Sequence, residues 1–437
     1  MSSSIESLPV EVFELIATIL CISSHKALRL SSRRLRLLVH ATFAKKAFSE
    51  LHTTLGSWSV DHLIKVSSHQ HLRNAVKAIH VRLLTHLDYE TLTSITRLGI
   101  FPPPKRFRRV SGVRDAYIAD EAATYNHVTG SEYPQRLYDG LVQALRGFPN
   151  LKVVRIRAKS YEPFQGRNNM PEGDQLFRAR CFQILLDAIV GSEVHLEEFA
   201  MTKAGPNATP HKGVHLSCSG FKMPPQKLQA LHHRFSHLQS LTLSLDTSYN
   251  IDKRLPGWEH AIADFIATAP QLRNMSLSLD RVLCLSHHGV AIIRSLASSC
   301  RLRELEQLQL HNVALHGDDL AMLIRAHAAS LKKVVFSDIR LLYGDWLSTW
   351  NMLRACERLM FLRLFALNGD KAPVNALNGG KAPVKFTRRY TGRPNMTLDA
   401  KKNKRSMSDM LDDLIANCNT QTETATHSIN FHFEDAA

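Results

Sequence analysis

The sequence predicts an α/β chain in which a small helical module is followed by an irregular array of helix–strand units. Three observations predict it. Residues 8–39 place apolar side chains at helical spacing and show no strand-like alternation. From Leu151 onward an L-x-x-L-x-L frame recurs seven times in order. Helix-like runs such as CFQILLDAIV, HAIADFIATA, VAIIRSLASS, LAMLIRAHAA and LSTWNMLRAC precede the frames.

At the start of the chain, Pro9 can open a helix because its missing N–H would be unpaired there. Glu11 falls in the first turn, where the helix dipole favours an acid. Val12, Ile16, Ile19 and Leu20 then share one face. Ser23 and Ser24 are good N-caps for a second helix. That helix sets Ala27, Leu28, Leu30, Leu35 and Leu38 against Lys26, Arg29, Arg33, Arg34 and Arg36. An amphipathic helical hairpin opening a globular domain fits the same spacing.

The run Leu8, Pro9, Val10, Glu11, Val12, Phe13, Glu14, Leu15, Ile16, then Leu20, then Leu28, Arg29, Leu30, Ser31, Ser32, Arg33, Arg34, Leu35 resembles an F-box. It departs from that family at His25, usually aliphatic, and at Ser24, usually an Asp that caps the second helix. The resemblance covers about a tenth of the chain and implies docking onto the Skp adaptor of a cullin–RING ubiquitin ligase, and through it onto a cullin. It implies Leu8, Pro9, Val12, Ile16, Leu20, Leu28, Leu30, Arg33 and Leu35 as the adaptor-binding residues. It also implies a non-catalytic subunit, with ligase activity supplied by partners.

Four stretches follow from this reading: the module at 1–50, a helical and loop connector at 51–135, the repeats at 136–367, and a loop insertion with a C-terminal cap at 368–437. In the connector the pattern stays helical from Phe43 to about Thr96, and HQHLRNAVKAIHV reads as a helix feeding a strand. FPPPKRFRRV then breaks any helix and gathers Lys105, Arg106, Arg108 and Arg109. The polar run to about Tyr133 reads as an extended connection or a partly mobile loop.

The seven frames are Leu151/Val154/Ile156, Leu196/Phe199/Met201, Leu238/Leu241/Leu243, Leu272/Met275/Leu277, Leu305/Leu308/Leu310, Leu331/Val334/Phe336 and Leu359/Leu362/Leu364. A short strand preceded by a helix, repeated, resembles the unit of a leucine-rich-repeat solenoid. The Asn that usually ties the turn after the strand is missing, with Asp246, Asp280, Val313, Ile339 and Leu367 in its place. A plain α/β domain with a partly parallel sheet is the alternative. In the solenoid reading the non-leucine strand positions line one face: Arg155, Arg157, Thr242, Ser244, Ser276, Ser278, Gln309, His311 and Arg363. This polar, mildly basic face is the expected contact surface for a protein substrate. After Leu367, NGDKAPV and NGGKAPV read as a tandem surface loop, KKNKR at 401–405 as a solvated loop or an import signal, SMSDMLDDLIANC as a capped helix and SINFHF as a last strand.

Composition limits the function classes. The 437 residues carry 55 Lys and Arg against 39 Asp and Glu, a net charge of +16. That balance points to acidic partners: a protein face, nucleic acid or an anionic surface. Positions 26–46 hold seven Lys or Arg and no acid, which suits the acidic Skp adaptors that the resemblance implies. A basic nucleic-acid- or chromatin-associated scaffold is the rival reading, although the basic residues are rarely interleaved with aromatics. The seven cysteines form no C-x-x-C pair and argue for reduced thiols in cytoplasm or nucleus. Glu14 interrupts the N-terminal apolar run, and no stretch is long enough to span a bilayer. No phosphate loop, dinucleotide fingerprint or zinc-protease motif is present. His232/His233, His287/His288 and Cys284 complete no metal set, so no catalytic residue, cofactor or metal is expected.

Overall fold

The computed structural model describes residues 5, 8–84, 111–158, 171–203, 216–246, 257–279, 288–299, 301–365, 367–370 and 395–425. They form a mixed α/β chain whose sheet is mostly parallel. Two compact units divide it, the first holding the elements up to residue 203 and the second those from residue 216, so the division runs within the stretch expected as repeats.

The first unit opens with four short helices, α1 (Val10–Ile19), α2 (Ile22–Ser31), α3 (Arg33–Leu38) and α4 (His40–Phe48). Strand β1 (Glu50–Thr53), helices α5 (Ser57–Ser68) and α6 (Gln70–Arg73), and β2 (Ala78–Leu83) follow. Then come α7 (Ser111–Thr129), α8 (Gln135–Arg146), β3 (Val153–Ala158), α9 (Glu172–Ser192) and β4 (Glu198–Lys203). The four strands pair in chain order and all run parallel. Crossover helices cover the sheet face they pack on, so the residues turned to them are apolar or small. One inward row is Leu51, Ile79, Val154 and Phe199; the next is Thr53, Val81, Ile156 and Met201; all eight are buried.

Helix α7 corrects the expectation of an extended connection up to Tyr133. Its buried side chains are Tyr117, Glu121, Tyr125 and Val128, so aromatic and acidic groups stand where aliphatic periodicity was sought. This helix holds α5 by its N-terminus. Asp120 Oδ2 accepts the Trp58 N–H at 3.2 Å, which satisfies a donor that the first turn leaves open. The Glu121 carboxyl meets the Thr54 hydroxyl, which in turn lies 2.7 Å from Ser59 Oγ. Gly56 makes this approach possible, because a Cβ there would strike both carboxyl groups. Burial raises Glu121 to about 7, with Asp120 adding to the rise and the hydroxyl of Thr54 opposing it.

The second unit contains β5 (Leu216–Ser217), α10 (Pro225–Arg234), β6 (Ser240–Asp246), α11 (Trp258–Ala267), β7 (Asn274–Leu279), α12 (His288–Ser299), β8 (Gln307–His311) and β9 (Ala314–His316). It continues with α13 (Gly317–His327), β10 (Lys333–Ser337), β11 (Arg340–Asp345), α14 (Trp346–Arg354), β12 (Phe361–Phe365), β13 (Asn368–Asp370), β14 (Asn395–Asp399), α15 (Ala400–Asn403) and α16 (Met407–Ala425). Strands β6, β7, β8, β10 and β12 pair parallel, β5 adds to β6, and β14 closes the far edge antiparallel to β12. A smaller parallel sheet joins β9, β11 and β13. Asn312 and Asp338 adopt positive φ of 54° between the strands of the two sheets, a conformation Asn and Asp tolerate best after Gly.

All seven sequence frames fall on this scheme, and every one of their 21 apolar residues is buried. The first leucine of a frame precedes the strand. The residue after it anchors the ladder: Glu306 N–H reaches Arg273 O at 2.8 Å, Lys332 N–H reaches Glu306 O at 2.7 Å, and Met360 N–H reaches Lys332 O at 2.9 Å. In the first unit Val76, Ile79 and Val81 form a further frame of the same kind, buried likewise. Helix α16 is capped by the Ser406 hydroxyl, which accepts Asp409 N–H at 3.0 Å, and it buries Met407, Met410, Leu411 and Leu414. The cluster at 105–109, the Asn378 copy of the tandem, Cys284, His287 and SINFHF lie outside the described residues. Among the described residues no helix is long and apolar enough to cross a membrane.

One glycine sets a close approach of backbones. A Cβ on Gly289 in α12 would collide with the carbonyl oxygen of Ala314 in β9. Backbone cannot move aside as a side chain can, so Gly289→Ala is expected to cost roughly 1–3 kcal/mol, the range of overpacked cores. An unchanged denaturant midpoint for this variant would contradict the close approach.

Candidate functional site

The N-terminal helices enclose a core of their own. Phe13, Ala17, Leu35 and Val39 are buried together, with Leu8, Leu28 and Leu38 packed partly against them. His25 is a polar member of this module's interior. It is fully buried and its Nε2 lies 2.7 Å from Ala17 O, while burial and the nearby Lys46 and Arg29 lower its pKa. Lys46 Nζ donates to Thr18 O and Leu20 O at 2.5 and 2.7 Å, and so neutralises the carbonyl end of α1. Arg29 lies over the Phe43 ring at 4.0 Å.

Two sequence expectations change here. The second helix is two: Ser32 interrupts it, and its hydroxyl accepts Leu35 N–H at 3.2 Å to start α3. Ser23 and Ser24 do not cap α2, which begins at Ile22; their hydroxyls contact Cys21 Sγ at 2.9 and 3.1 Å instead.

Pro9, Val12, Leu30 and Arg33 are exposed, and Leu8, Ile16, Leu20 and Leu28 are half-buried. Leu35 is buried at 5% exposure and packs inward, so it holds the module and offers nothing to a partner. The sequence did not single out Leu15 or Leu37, at 68% and 76% exposure, and Ile19 reaches 85% and Leu30 88%. On α1, Val12, Leu15 and Ile19 follow at i, i+3 and i+7 and form an apolar stripe facing away from Phe13 and Ala17. The helix is therefore apolar on two sides, and only one of them is used in its own core.

The strand faces carry the second candidate surface. In the second unit Thr242, Ser276, Gln309, Val335 and Arg363 stand in one row across the sheet. Thr242, Ser276, Gln309 and Arg363 are half-buried. Ser244, Ser278 and His311 form the next row, nearer the strand ends, and each is about 1% exposed. The side-chain parity is as expected, but these three are shut off from solvent and leave the candidate contact surface.

In the first unit Arg155 and Arg157 share a sheet face with Glu50, His52, His80, Arg82 and Glu198. Arg155 is paired to Glu198 through Nε at 2.6 Å and Nη2 at 3.2 Å, and that hydrogen bond raises the Arg155 pKa. The rings of His52 and His80 stack with centroids 4.5 Å apart. Burial, with Arg157, His52 and Arg155 nearby, pushes His80 down to about 3. Burial and Arg157 lower His52 in the same sense. Burial, then Arg155, lowers Arg157 itself. Glu50, His52 and His80 escaped the sequence reading because β1 was taken for helix.

No known family model matches this chain, and no curated protein matches it.

His232 and His233 lie on α10, both exposed, and no metal-ligating group among the described residues includes them. Cys21, Cys181, Cys218 and Cys356 form no disulfide among the described residues.

Proposed function

We propose that this chain is a substrate-recognition adaptor of an SCF-type ubiquitin ligase, acting in cytoplasm or nucleus without catalytic chemistry of its own. The observation that carries the reading is the outward stripe of α1. Val12, Leu15 and Ile19, with Leu30 of α2, stand in solvent on a module whose core is complete without them. Exposed apolar clusters of this kind mark protein interfaces. Arg33, Arg34 and Arg36 are exposed on the adjoining helix and suit an acidic partner. The F-box resemblance supplies the partner, a Skp adaptor, and through it a cullin.

The repeats would hold a protein substrate. Seven frames, each on a strand that follows a helix and pairs in register with its neighbours, support a leucine-rich-repeat-like solenoid. The half-buried row Thr242, Ser276, Gln309 and Arg363 is the substrate surface of the second unit in this reading. Holding a substrate beside a conjugating enzyme acts through effective concentration and requires no bond chemistry from the chain.

Binding of the full chain to a purified Skp adaptor tests the reading. Ile19→Glu with Leu30→Glu should weaken binding by about 100-fold or more, as for two interface anchors. Both positions are exposed, so melting should move little. A folded wild type that does not bind would sink the proposal. Nucleic-acid binding falling steeply with salt would then favour the basic scaffold.

A further inference from the structure

We propose that Glu50, His52 and His80 form a binding site for a divalent transition-metal ion of the zinc class. The inference does not rest on the adaptor reading. Its basis is strand geometry. Alternation along β1 puts Glu50 and His52 on one face, and the parallel register sets His52 directly opposite His80 of β2. One ligand atom from each of the three lies within 4.8 Å of the other two.

The distances approach a coordination sphere. Glu50 Oε2 stands 3.4 Å from His80 Nε2. Ligand atoms about 2.0–2.1 Å from a tetrahedral zinc are separated by about 3.3 Å, so this pair already spans one edge. His80 is the fixed member: it is 1% exposed and neither ring nitrogen makes a hydrogen bond. Buried imidazole nitrogens are rarely left that way. Glu50, with 58% of its side chain exposed, and half-buried His52 can move to complete the set.

The donor set selects the ion. Two imidazoles and one carboxylate suit zinc, cobalt, nickel or copper, whereas calcium and magnesium take oxygen ligands. The neighbouring charges act in the same sense. Arg155 is neutralised by Glu198, but Arg157 remains on the same face, and its field penalises an ion held by charge alone. Covalent character in the metal–nitrogen bonds offsets that field for the softer metals. Three protein ligands leave a position open for water or for a donor group of a bound molecule.

The test uses the full chain freed of metal by a chelator and titrated with Zn2+ by calorimetry and with Co2+ by visible absorption. The expected result is one tight equivalent of Zn2+ and a tetrahedral cobalt band. His52→Gln and Glu50→Gln, which alter non-core side chains, should each weaken binding at least about tenfold, as lost metal contacts do. Their folding is checked by circular dichroism, and zinc should raise the melting temperature of the wild type more than that of either variant. Absence of binding by folded wild type would overturn the proposal. So would binding that both variants retain in full, because the chain has 23 histidines and other sites would then account for it. Binding of inorganic phosphate with no binding of zinc would also overturn it and make the face an anion site.

Discussion

Phe13→Ala is expected to melt the first helices of the chain. The side chain is fully buried at the centre of a core that otherwise consists of Ala17, Leu35 and Val39, with Leu8, Leu28 and Leu38 at its margin. Removing a buried Phe costs about 3–5 kcal/mol. A core this small supplies no more than about that amount on its own, so the substitution removes most of what holds α1 to α3. Hydrogen exchange should rise throughout residues 10–38 while β2, β3 and β4 keep their protection. Phe13→Leu, which retains most of the volume, should fall between. The contrast with Ile19→Glu and Leu30→Glu is the informative part. In the adaptor reading all three changes weaken Skp binding, but only Phe13→Ala should do so by unfolding. Undisturbed exchange in Phe13→Ala would mean that contacts outside this core hold the helices.

Glu121→Gln should stabilise the chain above neutral pH. Folding raises this carboxyl from its usual value near 4.5 to about 7, chiefly by burial between α7 and the turn into α5. A raised folded pKa means the native state binds the extra proton more tightly than the unfolded chain does. The contribution is therefore complete below about pH 4.5 and disappears as pH rises through 7. Ionising the buried group costs roughly 3 kcal/mol at about 1.4 kcal/mol per unit. The groups around it explain why the acid form suits the site. Asp120 repels a second negative charge, and burial, then Glu121, pushes up the thiol of Cys181. The Thr54 hydroxyl favours the carboxylate and opposes the rise, so burial decides its sign. Glutamine keeps the shape and a donor without the charge, so its melting temperature should vary less between pH 6 and 9 than that of the wild type. Equal pH slopes in the two proteins would show that Glu121 does not ionise in this range. Glu121→Ala, which leaves the hydroxyl and a cavity behind, should destabilise at every pH.

The legible part of this fold was the part whose signal is local. Each L-x-x-L-x-L frame encodes the leucine that precedes a strand and the parity within it, and both are kept in all seven. The run Val76, Ile79, Val81 obeys the same rule and was passed over because only Val and Ile carry it. Strand β1 has four residues, too few for a period to show beside the helical pattern of residues 40–48. Helix α7 is held by Tyr117, Tyr125 and a buried acid, which no apolar template finds. At the N-terminus the spacing of Val12, Ile16 and Ile19 showed that a face exists. It could not show that Phe13 and Ala17, on another side, make the core. The meeting of His52 with His80 depends on which strands pair and in what register, across 28 positions of sequence. Pairing of that kind is set by packing and is invisible to local periodicity. The loss of Ser244, Ser278 and His311 from the contact surface has the same origin, since parity fixes the side of a sheet and says nothing of depth.

Strand β14 reverses direction where it meets β12. Each parallel neighbour before it is reached through a helix, so a duplicated helix–strand segment can slip between two existing strands and keep every chain direction unchanged. Beyond β14 the polarity is wrong for such a copy. In evolutionary terms the second unit can lengthen or shorten from within, while its C-terminal border stays where it is.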